Sequence, residues 1–176
     1  PTTPPPAIPG LPTQQAPSAG ADLVEFTVKD VSVSGSTVYS QDDLMMLVGN
    51  VQGKRMTLAD AQNIAIAITR KYRGDGYILS QARVVPGDAK GGKLHIQVTE
   101  GYISNVIIEG EHRETRGLIE GYANKIKAQR PLNIATLERY LLLADDLPGV
   151  TAKGVMRASA SQPGTSELVM VLAHDT

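Results

Sequence analysis

Two passages of this chain carry the same succession of elements, and that repeat limits the fold more than any other feature. In the first, the β-forming run FTVKDVSVSG stops at Gly35, Ser40 precedes the helical pattern QDDLMMLVGN, and Thr57 precedes a longer helical pattern. The strand patterns YILSQARVVP and KLHIQVTE follow. In the second, YISNVIIEG stops at Gly110, Thr115 and Asn133 precede two helical patterns, and VTAKGVMRAS and SELVMVLAH come last. Matching landmarks share one spacing: 110 − 35 = 75, 115 − 40 = 75 and 133 − 57 = 76. A fixed period of this size marks a repeated supersecondary unit. The chain therefore reads as two copies of a βααββ module, an α+β fold in which each small sheet is covered on one face by two helices.

The helices are predicted from capping and spacing. Ser40 with Asp43, and Thr57 with Asp60, set a hydroxyl three residues before a carboxylate, a pairing that satisfies the free N–H groups of a helix start. Leu44, Leu47 and Val48 share one face of the first helix. Leu58, Ala61, Ile64, Ala65, Ile68 and Tyr72 share one face of the second, which ends in Arg70, Lys71 and Arg73, where the helix dipole favours cations. In the second copy Thr115 is expected to cap a helix carrying Ile119, Tyr122 and Ile126. Asn133 is expected to cap one carrying Ile134, Leu137, Leu141 and Ala144, stopped by Pro148-Gly149. FTVKDVSVSG predicts one strand with a twist or bulge near Asp30, and YILSQARVVP predicts a strand ended by Pro86. The last strand of copy one runs through Glu100-Gly101 into the first strand of copy two, which predicts a joint with little slack and a restricted mutual orientation of the modules.

Residues 1–23 hold most of the prolines and no charge before Asp22, a composition that favours an extended linker or tail. The modules then span residues 24–100 and 101–176. Seventeen basic and eighteen acidic residues give a net charge of −1, so no overall field draws the chain to nucleic acid or to an anionic membrane. The absence of cysteine excludes disulfides and thiolate chemistry and suits any compartment. No apolar run approaches the roughly 18 residues of a membrane-spanning helix, and no secretion signal is visible at the start, as expected of a cytosolic, mature or trimmed chain.

Chemistry is sparse. His95, His112 and His174 fall in separate segments without metal-binding spacing, and neither a nucleophile elbow nor a phosphate-binding loop is present. Asp42-Asp43 and Asp145-Asp146 are adjacent pairs that diverge on a helix, which suits capping and solvated faces better than acid–base catalysis. Lys125, Lys127 and Arg130 lie near a helix end, where dipole compensation accounts for them. One Phe and no Trp leave no stacking platform for single-stranded nucleic acid. No enzyme activity, cofactor or metal is expected.

What remains is surface shape. A small open sheet has edges with unpaired backbone groups, which either need guarding or accept an extended segment of another chain. ILSQARVV, with Gln81 and Arg83, reads as the edge in copy one. TAKGVMRAS, with Lys153, Gly154 and Arg157, reads as the edge in copy two, whereas ELVMVLA suits a central strand.

Tyr72-x-x-x-Gly76-Tyr77, Leu94-x-Ile96-x-Val98-x-Glu100-Gly101, Ile108-x-Gly110, Pro131-Leu132-Asn133, Leu137-Glu138-Arg139 and Asp145-Asp146-Leu147-Pro148-Gly149-Val150 together resemble the paired POTRA modules of two-partner secretion transporters of the TpsB or haemolysin-activator type. The resemblance covers essentially everything after the proline-rich start, which resembles the linker after a plug helix. It implies two POTRA modules, each with a three-stranded mixed sheet and its second strand at the edge, in the periplasm of a Gram-negative bacterium and in front of the protein's own C-terminal outer-membrane β-barrel. The implied partner is an unfolded secreted exoprotein, an adhesin, haemolysin or contact-dependent inhibition toxin, captured through its N-terminal secretion domain and guided to the pore. Nucleic acid is not among the expected partners. The residues expected to hold this cargo are Ile64, Ile68, Tyr72, Ile78, Leu79, Ser80, Gln81, Arg83 and Val84 in copy one and Lys153, Val155 and Arg157 in copy two. The alternative is a scaffold in outer-membrane protein assembly that orients a barrel or binds assembly partners. Pro86-Gly87-Asp88-Ala89-Lys90-Gly91-Gly92 departs from the family pattern, so that loop is expected to differ in shape. With no barrel sequence after Thr176, the expectation is a fragment able to bind cargo and not to translocate it.

Overall fold

The computed structural model describes residues 8–12, 16–110 and 113–174. The first seven residues of the proline-rich start, and His112, lie outside them. The chain forms two compact units, described residues 16–75 with 80–100, and described residues 8–12 with 76–79 and 101–174.

The first unit holds β1 (Glu25–Thr27), β2 (Asp30–Ser34), α1 (Gln41–Val48), β3 (Arg55–Thr57), α2 (Leu58–Gly74), β4 (Gln81–Val84) and β5 (Lys93–Thr99). Its main sheet has the order β2-β5-β4, with β2 parallel and β4 antiparallel to the central β5. Both helix starts form as their sequences dictate. Ser40 accepts from the Asp43 N–H, and Thr57 and Asp60 make a reciprocal capping box. Val33, Leu44, Val48, Ile68, Tyr72, Leu94, Ile96 and Val98 make the core between the helices and one face of the sheet.

Two strand expectations for this unit are corrected. FTVKDVSVSG is two strands, because the chain changes partner at Val28. The Val28 N–H donates to the Lys54 carbonyl, and the next two N–H groups, of Lys29 and Asp30, donate to the Gly92 carbonyl. β1 accordingly pairs with β3 in a separate two-stranded ribbon, and β2 pairs with β5. YILSQARVVP contributes strand only from Gln81 to Val84, since Leu79 is buried in the hydrophobic cluster of the second unit and Ile78 packs against it. The loop after Pro86 holds one 3-10 turn, Ala89–Gly91.

The second unit holds β6 (Ile103–Glu109), α3 (Arg116–Ala128), α4 (Ile134–Asp145), β7 (Val150–Ala158) and β8 (Ser166–His174). Its sheet order is β6-β8-β7, with β6 parallel and β7 antiparallel to β8. This is the topology of the first unit, with the apolar SELVMVLAH strand in the centre as its composition requires. Ile103, Ile119, Ile126, Leu132, Leu137, Met156, Leu168 and Met170 fill the core. Asn133 caps α4 through the Ala135 N–H, but Thr115 does not cap α3 with its hydroxyl. With φ −107° and ψ 4° it lies outside the extended region in which a capping side chain reaches forward, and its Oγ1 is buried without a partner.

The repeat reaches single atoms. Gly35 and Gly110 end equivalent strands at φ of 91° and 101°. A Cβ on either would lie 2.1 Å from the Val98 carbonyl oxygen or 2.2 Å from the Leu172 carbonyl oxygen, so only glycine fits.

Candidate functional site

β4 and β7 are both edge strands that run antiparallel to their central neighbours. In such a strand every second residue turns its N–H and C=O away from the sheet. Those residues are Ala82 and Val84 in β4, and Val150, Ala152, Gly154, Met156 and Ala158 in β7, where the Val150 N–H already donates to the Leu147 carbonyl. Each edge faces a helix across a groove. In the first unit Ala65, Ile66 and Thr69 of α2 stand opposite Gln81 to Val84 around a cavity of about 300 Å³ that Ala16 and Ser18 also line. Ser18 is held there by its N–H, which donates to Gln62 Oε1 at 2.9 Å.

The groove of the second unit is larger, about 540 Å³, and lies between Glu138, Leu141, Leu142 and Asp145 of α4 and the run from Ala152 to Val155. Leu142 is 60% exposed on its rim, although burying a side chain of that size is ordinarily worth about 1.5–3 kcal/mol. Ile8 and Pro9 enter this groove. The Met156 N–H donates to the Pro9 carbonyl at 2.9 Å. Gly10 passes so close to β7 that an added Cβ would sit 1.7 Å from the Met156 carbonyl oxygen. A short stretch of the chain, turning at Pro9-Gly10, therefore already lies on the β7 edge.

Among the residues expected to hold cargo, Gln81, Arg83 and Val84 line the first groove, and Lys153 and Val155 line the second. Arg157 is engaged by Glu167, Nε to Oε2 at 2.8 Å. Ile68, Tyr72, Leu79 and Ser80 are buried, Ile64 is half-buried outside the groove lining, and Ile78 packs against the core of the second unit. The middle of the apolar stripe of α2 turns into the core, and its flank, Ala65, Ile66 and Thr69, turns toward β4. Sequence reading passed over Ile66, Thr69, Glu138 and Leu142. For Thr69 and Asp145 a signal existed, since both stand twelve residues after their helix caps (69 − 57 = 145 − 133 = 12).

Tyr72 has another task. Its hydroxyl donates to Glu100 Oε2 at 2.8 Å and meets Ser36 Oγ at 2.5 Å. Glu100 also accepts from the N–H groups of Thr37 and Val38 and from the Thr37 hydroxyl. Burial works against the Glu100 charge, but the hydrogen bonds from Thr37, Tyr72 and the backbone outweigh it and hold the carboxyl below its ordinary range. The Glu100 end of the Glu-Gly corner thus locks α2 to the loop after β2. Nearby, hydrogen bonds from Tyr39 and Lys71 hold exposed Asp75 below its ordinary range.

One cluster has the residue types of a hydrolytic triad. Ser34 Oγ lies 2.9 Å from His95 Nε2, and His95 Nδ1 lies 3.5 Å from Asp88. The Ser34 hydroxyl also lies 3.0 Å from Gln97 Oε1, an acceptor that competes with the imidazole for its single proton. Among the described residues no group of His, Asp or Glu side chains could hold a metal ion, and no helix is long and apolar enough to cross a membrane.

Residues 26–101 match the POTRA domain family of ShlB type. The heme/hemopexin transporter protein HuxB of Haemophilus influenzae is 24% identical over 150 residues, 84% of this chain and 26% of HuxB. The outer membrane transporter CdiB of Escherichia coli is 33% identical over 101 residues, 57% of this chain and 17% of CdiB. The chain thus spans about a quarter or less of the curated relatives it matches. A solved structure of CdiB from Escherichia coli superposes with a TM-score of 0.73 at 23% identity, over 95% of this chain and 31% of that one. The N-terminal domain of Omp85 from Thermosynechococcus elongatus follows at 0.67 and 20% identity, over 86% of this chain and 67% of that one. Residues 26–101 are a POTRA domain of ShlB type, and the second unit repeats the strand order of its main sheet.

Proposed function

We propose that this chain is the periplasmic part of an outer-membrane transporter, and that it receives an unfolded secreted exoprotein by pairing an extended segment of it with a sheet edge and guides it toward the protein's own β-barrel. The observation that carries this reading is the β7 edge, where the Pro9 carbonyl already accepts a hydrogen bond from the Met156 N–H beside an apolar groove. Backbone pairing suits a cargo of varied sequence, since every residue but proline offers the same N–H and C=O, while a groove alongside selects alternate side chains. The chain's similarity to HuxB and CdiB, both transporters, supports this reading. No catalytic step and no cofactor enters this reading.

The test is an amide-shift titration of the full 176-residue chain with the unfolded N-terminal segment of a secreted protein whose export needs the full-length transporter. Shifts along residues 81–84 or 150–158 and the facing helix support capture by strand addition. An unperturbed chain leaves the modules as a scaffold that orients the barrel or binds assembly partners.

A further inference from the structure

Each edge strand has one outward N–H already occupied by a side chain of the facing helix. In the first unit the Thr69 hydroxyl, buried at 2% exposure, accepts from the Ala82 N–H at 2.9 Å and donates to the Ala65 carbonyl at 3.0 Å. In the second, Asp145 Oδ1 accepts from the Ala152 N–H at 2.9 Å. A hydroxyl and a carboxylate are chemically unlike, yet they occupy the same helical position, twelve residues after Thr57 and Asn133, and do the same thing (69 − 57 = 145 − 133 = 12). Each supplies the acceptor that an added strand would otherwise bring.

Resting on the strand-addition reading above, we infer that Thr69 and Asp145 set where a cargo strand can pair along each edge. An incoming carbonyl finds the Ala82 and Ala152 donors taken, and displacing a bonded side chain gains no net hydrogen bond. On β4 this leaves Val84, because the next outward position is Pro86, which has no N–H. On β7 the pairing register starts at Gly154, with Met156 as its next donor once Pro9 moves off. Thr69 and Asp145 are positioning groups for the cargo backbone, and the two modules differ in how many donors remain beyond them.

The experiment uses the full chain, labelled for NMR, and a capped peptide of alternating valine and threonine as probe, with Thr69→Val and Asp145→Ala as test variants. Thr69→Ser and Asp145→Asn, which keep an acceptor, are the rescues. Without peptide, the Ala82 amide in T69V and the Ala152 amide in D145A should exchange roughly fivefold faster, the effect of losing one ordinary hydrogen bond. With peptide, cross-strand contacts should begin at Val84 or Gly154 in the unaltered chain and in the rescues, and extend by two residues to Ala82 or Ala152 in T69V and D145A. Contacts that already include Ala82 or Ala152 in the unaltered chain, or a register that the variants leave unmoved, overturn the positioning role while strand addition stands. A peptide that pairs with neither edge in any variant overturns both readings.

Discussion

The two modules share one topology but present unequal edges: β4 is four residues long and β7 is nine. The first edge runs from a donor taken by Thr69 to a proline, whereas the second continues past Asp145 through Gly154 and Met156 and carries a piece of the chain's own N-terminal segment. The two modules share the order of elements and the closing glycines, while the length and occupancy of the antiparallel edge strand differ. Shared architecture therefore does not imply shared binding capacity.

The largest expected effect tests the sameness of the modules. Gly35→Ala and Gly110→Ala each drive a Cβ into a carbonyl at positive φ, and each should destabilise its own module by about 2–4 kcal/mol, read by urea unfolding with module-resolved hydrogen exchange. Unequal losses would show that the two glycines are not equivalent. Next comes a feature of the first module alone. Glu100→Gln should cost about 1 kcal/mol at neutral pH, the low end for hydrogen bonds to a charged group because the carboxylate is part-exposed. The folded-state pKa is depressed, so this stabilisation is present above the unfolded value of about 4.3 and fades as the pH falls through the folded one. Unfolding curves of E100Q and the parent chain should converge on acidification, and a gap that persists would assign the loss to packing.

A smaller effect isolates the occupied edge. Gly10→Val should push the N-terminal segment off β7, speeding exchange of the Met156 amide roughly fivefold while the Ala82 amide in the other module is unchanged. The smallest effect belongs to the ion pair on β7. Arg157→Ala should change stability by no more than about 0.5 kcal/mol, since the pair is exposed on its arginine side.

The repeat, all four helices and the choice of edge strands were legible from the sequence because they rest on local signals: a cap, a 3.6-residue period, a glycine stop. What was not legible depends on partners distant in sequence. Nothing local tells that Val28 hands the chain from β3 to β5, or that Leu79, written next to Ser80 and Gln81, is buried in the core of the other unit. For the site, the sequence marks the apolar stripe of α2 but not how the helix is rolled, so Ile68 and Tyr72 were assigned to a groove that Ala65, Ile66 and Thr69 line. In sequence Asp145 reads as half of an acidic pair, and its bond to the Ala152 N–H appears only when β7 is laid beside α4.

The capped edges bear on how such a domain can be kept at high concentration. Fibre growth by sheet extension needs an uninterrupted row of backbone donors and acceptors that copies itself from one molecule to the next. With Ala82 and Ala152 taken and Pro86 mute, the rows along β4 and β7 are interrupted, so these two edges are poor templates for the protein's own polymerisation.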